Sequence, residues 1–186
     1  SQQEILTETS NVIGDELIAL LEAENPEIRR RSSIALGILN EMRFEEPLLA
    51  CLEDASNQVK FSAAASLASM GSKKGIDFLF EAMRNEDPIL RSNAVKFLAD
   101  VQQSGKTVQG QLIDSMQDAD PLSRAGAAKV LGLAKVVEAN EALELAAKDE
   151  DSTVRVNAII ALGHIGLHRS QPHITASTQD TNATVA

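Results

Sequence analysis

The sequence repeats itself, and the period of that repetition constrains the fold more than any other feature. Five segments align on a basic residue, Arg29, Lys60, Arg91, Arg124 and Arg155, at spacings of 31, 31, 33 and 31 positions. Seven positions after each anchor stands a leucine: Leu36, Leu67, Leu98, Leu131 and Leu162. Twelve positions before each anchor stands another: Leu17, Leu48, Leu79, Leu112 and Leu143. Small residues follow at offset 3 (Ser32, Ala63, Ala94, Ala127, Ala158) and at offset 8 (Gly37, Ala68, Ala99, Gly132, Gly163). Offsets 0, 3, 4, 7 and 8 trace one face of an α-helix. Each unit therefore predicts an inner helix, such as Pro26 to Leu39, whose small residues admit a neighbouring helix and whose leucine fills the groove between them. The upstream leucine belongs to an outer helix, such as Asp15 to Leu21.

The turn before each inner helix is patterned as well. Four positions before the anchors stand Asn25, Ser56, Asp87, Asp120 and Asp151. Such side chains accept hydrogen bonds from the free N–H groups at a helix start. Pro26, Pro88 and Pro121 follow directly, where a missing donor costs nothing. A lone helix pair cannot bury its apolar face, but stacked pairs can. The expected fold is all-α, a right-handed α-α superhelix of about five helix-pair repeats, near 14–41, 44–72, 75–103, 108–135 and 139–167. A capping segment, 1–13, precedes them. Residues 168–186, rich in Ser, Thr, Gln, Asn and Asp, are expected to form a flexible tail. The two extra residues between the third and fourth units fall at Gln102 to Lys106 and predict a longer loop.

The stretch from Asp149 to Gly166, with Val154-Arg155, Ala161-Leu162-Gly163 and Ile165-Gly166, closely resembles the HEAT-like repeat named after phycobilisome lyases. The resemblance covers roughly 14 to 167. It implies the helix-pair fold, and it brings one functional alternative. Bilin lyases and lyase-like proteins built of these repeats handle an open-chain tetrapyrrole on phycobiliproteins. A bilin is thus a possible ligand, though the absence of Tyr and Trp leaves it few aromatic walls.

Charge and composition narrow the function. The net charge is −10, from 17 basic and 27 acidic residues, so phosphate backbones are repelled and nucleic acid is not an expected partner. No apolar run reaches the length of a membrane span. The start, from Ser1, lacks the pattern of a secretory signal, which leads to an expected cytoplasmic location. Cys51, the single cysteine, lies among Glu45, Glu46 and Glu53 and reads as a buried, inert thiol. His164 and His168 sit four apart and His173 nearby, but no third ligand completes a metal site. The chain contains no His-Glu dipeptide, which sets aside the di-iron hydroxylases built on HEAT repeats. The anchors Arg29, Lys60, Arg91, Arg124 and Arg155 are expected to form a row, paired between repeats with Asp54, Asp118 and Asp149.

No set of acid, base, nucleophile or metal ligand assembles, and no cofactor is expected. The expected function is a non-catalytic adaptor or scaffold that grips a protein partner along the concave face. Inner-helix offsets 2, 5 and 9 line that face. Its candidate contacts are Arg31, Asn93, Lys96, Lys129, Asn157 and His164. Phe61 and Phe97 lie close by, as packing residues or as anchors for the partner.

Overall fold

The computed structural model describes residues 2–105 and 108–166, with side chains from residue 11 onward. Lys106, His168, His173, the whole segment 168–186 and the expectations attached to them lie outside the described residues. Every regular element described is helical. The outer helices are α1 (Gln2–Ala19), α3 (Glu45–Ala50), α5 (Lys73–Ala82), α7 (Gln109–Ser115) and α9 (Asn140–Ala146). The inner helices are α2 (Pro26–Leu39), α4 (Asn57–Met70), α6 (Pro88–Gln103), α8 (Pro121–Leu133) and α10 (Ser152–Ile165). Helix α1 runs unbroken through position 13. The chain divides into two compact units, Ser1–Leu79 and Phe80–Ala186, with the division falling inside α5.

The leucine register is the core. Leu36, Leu67, Leu98, Leu131 and Leu162 on the inner helices, and Leu48, Leu79, Leu112 and Leu143 on the outer ones, are each 0% exposed. Burying one such side chain stabilises by about 2 kcal/mol. In the first unit α2 packs along α4, and α3 against α4. Gly37 lets the inner helices close up: a Cβ there would lie 2.5 Å from the Cβ of Ser66 and 2.9 Å from its Cα. The Ser66 hydroxyl donates to the Ser33 carbonyl at 2.9 Å, so the polar group in that tight seam is satisfied. Phe61 is buried and meets Phe78 edge-on, with centroids 5.6 Å apart. Its ring is a packing element.

The second unit repeats the scheme. Helix α6 packs on α8, and α8 on α10, with α7 and α9 beneath their own inner helices. Gly132, the residue after the stripe leucine Leu131, again marks a close approach. A Cβ there would fall 2.5 Å from the Cα of Ala161 and 2.6 Å from its Cβ.

The turns are held by two hydrogen bonds in series. At four positions before the anchor, Asn25, Asp87, Asp120 and Asp151 accept from Glu27, Ile89, Leu122 and Thr153 backbone N–H groups. Two residues earlier, Asp54, Asn85, Asp118 and Asp149 accept from the N–H of Ser56, Asp87, Asp120 and Asp151. Ser56 makes no side-chain cap, unlike its four counterparts. Asp151→Ala is therefore expected to lower stability by about 1 kcal/mol, and Ser56→Ala by only a few tenths. Urea-denaturation midpoints followed by circular dichroism will separate the two.

Candidate functional site

The anchor arginines have a role that spacing alone does not reveal. Arg29, Arg91, Arg124 and Arg155 each aim Nη1 at two backbone carbonyls, five and six residues upstream. For Arg124 these are Ala119 and Asp118, at 3.0 and 2.9 Å; for Arg155, Glu150 and Asp149, at 3.0 and 2.9 Å. Arg29 reaches Ala23 and Glu24, and Arg91 reaches Asn85 and Glu86. Carbonyls of the turn between the outer and inner helices are thus satisfied by the helix that follows. Nη1 alone serves both carbonyls and leaves the Nε and Nη2 edge of the guanidinium for a carboxylate, a combination that the single ammonium of Lys60 in the second repeat does not reproduce.

Two of these arginines also reach a neighbouring repeat. Arg29 grips Asp54 through Nε and Nη2 at 2.7 and 2.9 Å, and Arg124 grips Asp149 at 2.8 Å through both. All four side chains are mostly buried, between 10 and 16% exposed. The expected row of pairs is therefore realised at these two steps, 25 residues apart each time. At the third expected partner, Asp118 is taken by Arg84 at 3.0 Å, while Arg91 stays on its turn. The hydrogen bonds from Arg29 hold Asp54 below the usual carboxylate range. For Asp149 burial pushes upward, but the bonds from Arg124 and from the Asp151 N–H outweigh it and leave it lowered.

In the second unit an open groove of about 230 Å³ runs across α6, α8 and α10. Val95, Leu122 and Ala125 give it apolar walls, and Arg91, Ser92, Lys129, Thr153 and Asn157 give it polar edges. Gly126 in its lining makes room for the buried Met83 side chain, since a Cβ there would lie 2.7 Å from the Met83 sulfur. Of the residues singled out from the sequence, Lys129 and Asn157 line this groove. The Asn157 amide donates to the Thr153 carbonyl at 2.8 Å.

Asn93 and Lys96 stand on α6 and His164 in the last turn of α10, all outside the groove lining. Arg31 belongs to the first unit. It is 75% exposed and bonds Glu27 at 2.7 Å, and with Arg30 it brings the Glu27 carboxyl down to about 2. Phe97 is half-buried on α6. Cys51 is buried, and burial pushes its thiol upward, in keeping with an inert side chain. The packing of Met83 against Gly126 in the groove lining is the part that sequence reading missed. A glycine at offset 2 from an anchor, where the other repeats carry Arg31, Ser62, Asn93 and Asn157, was its only trace. Among the described residues, no group of three or more His, Cys, Asp and Glu side chains could hold a metal ion. No described helix is long and apolar enough to cross a membrane.

A family model for HEAT repeats matches residues 45–109 and 110–186. No curated protein matches the chain in sequence. Among solved structures, the Escherichia coli protein YibA is similar at a TM-score of 0.53 and 16% identity, over 96% of this chain and 70% of that one. The complex of CpcE and CpcF of phycocyanin lyase from Nostoc is similar at 0.48 and 16%, over 92% and 72%. A designed armadillo repeat protein is similar at 0.47 and 16%, over 91% and 94%. At these identities the likeness to YibA speaks for the helix-pair fold alone, and the other two carry no argument.

Proposed function

The chain belongs to the HEAT-repeat family, and from that premise we propose that it is a non-catalytic binding module that holds a protein partner against its inner helices. The observation that supports this reading is the open groove across α6, α8 and α10, with apolar walls and hydrogen-bonding edges. It is shallow enough for side chains of another protein, and neighbouring Ile89, Leu133 and Ile160 keep apolar surface exposed, at 68, 38 and 49%. A mixed apolar and polar patch of this kind is what protein interfaces are made of. Arg31, Asn93, Lys96, Lys129, Asn157 and His164 are the proposed contacts.

Photo-crosslinking tests the reading. A benzophenone amino acid placed at Asn93 is expected to trap a discrete protein partner in cells, and one at Glu141 on outer helix α9 to trap none. Equal trapping from both positions, or trapping from Glu141 alone, contradicts it.

A further inference from the structure

Acidic and basic residues are not shared evenly between the two kinds of helix. The five inner helices carry nine Arg and Lys and only two acids, Glu27 and Asp100. Everything else in the chain carries eight Arg and Lys against 25 Asp and Glu. A molecule of net charge −10 thus sets cationic inner helices in an anionic frame. Part of this asymmetry has a local cause. Arg29, Arg91, Arg124 and Arg155 serve turn carbonyls, and Arg30 and Arg31 pair with Glu27.

Lys96 and Lys129 have no such cause. Each sits at offset 5 from its anchor, on α6 and α8, which pack side by side. Both ammonium-bearing side chains are exposed, and neither makes an ion pair among the described residues. Packed helices lie about 8–10 Å apart, so the two lysines stand at the same register position on adjacent helices. Lys129 also edges the groove, whose lining contains no carboxylate. Asp87, Asp120 and Asp151 cap the helix starts with their carboxylates, and Asp100 follows Lys96 by four residues along α6, with no ion pair between the two.

We infer that the inner-helix face of the second unit docks an acidic segment of the partner protein, with Lys96 and Lys129 taking its carboxylates. The inference rests on the proposed binding function and gives its partner a chemistry. It reverses what the overall charge suggests, since a chain this acidic would be expected to favour a basic partner. Charge complementarity of this kind sets partner choice and encounter rate.

The probe is a fluorescein-labelled decaglutamate peptide, read by fluorescence anisotropy on the full chain at low salt. Net charge alone would repel it. Binding is expected, and the double substitution Lys96→Glu with Lys129→Glu is expected to weaken it about tenfold or more. Lys74→Glu with Lys148→Glu makes the same change in net charge on turn and outer-helix positions and is expected to leave it nearly unchanged. No binding of decaglutamate, or equal losses in the two double variants, overturns the inference. A partner that still cross-links from Asn93 while ignoring the Lys96 and Lys129 reversal defeats this inference and leaves the functional reading standing. Absence of cross-linking from the inner helices of the unsubstituted chain defeats both.

Discussion

Leu98→Asp is expected to destabilise the chain by about 4 kcal/mol or more. Leu98 is 0% exposed on α6, and its neighbours along that helix, Ala94, Val95 and Ala99, are buried too. A carboxylate there has no donor to meet it, and leaves a leucine-shaped space only partly filled. Repeats stabilise one another mostly through nearest-neighbour contacts. The damage is therefore expected to lower the urea midpoint of the whole transition or to split it into two. An unchanged far-UV circular dichroism melt would mean that the leucine register is misplaced.

Arg124→Ala is the second large effect, at about 3 kcal/mol, in line with breaking a buried pair. Removing this side chain frees the Asp118 and Ala119 carbonyls and leaves Asp149 buried without its guanidinium. The same geometry predicts an acid response. Asp54, Asp118 and Asp149 are all lowered in the folded chain, Asp118 first by the hydrogen bond from the Asp120 N–H. A lowered folded value means that the unfolded chain takes up protons first as pH falls. Their contribution is then whole above about pH 5 and drains away below about pH 4, the unfolded aspartate range. The melting temperature is expected to drop between about pH 5 and about pH 3. In Arg124→Ala the drop is expected to be shallower, because part of the linkage has gone. Parallel acid profiles for the two proteins would contradict this assignment.

These two effects differ in how far the sequence announces them. The leucine stripe is legible because burial recurs with every repeat: the same offset meets the same neighbour, so Leu36 and Leu162 report one environment. The caps at Asn25, Asp87, Asp120 and Asp151 are legible for a similar reason, since capping is local to the chain. The anchor arginines are only half legible. Their period shows that they matter, but the reach of Nη1 to two upstream carbonyls depends on how the turn folds back, which spacing does not encode. The inter-repeat pairs depend in addition on which anchors have an aspartate 25 residues on. Arg29 and Arg124 do; Lys60 has Asn85 in that place.

The groove was the least legible part. Its lining includes a departure from the repeat, Gly126 packed against Met83, and deviations carry no periodic signal. The charge segregation was hidden for a different reason. Net charge sums over faces that never meet the same partner, and the inner and outer helices only separate once their boundaries are drawn.

Hydrogen exchange read by mass spectrometry, on the chain alone and with the cross-linked partner bound, tests the central claim most directly. The account predicts slowed exchange in residues 88–103, 121–133 and 152–165, with α7 and α9 unchanged. Protection confined to those outer helices, or none in the inner ones, would contradict it.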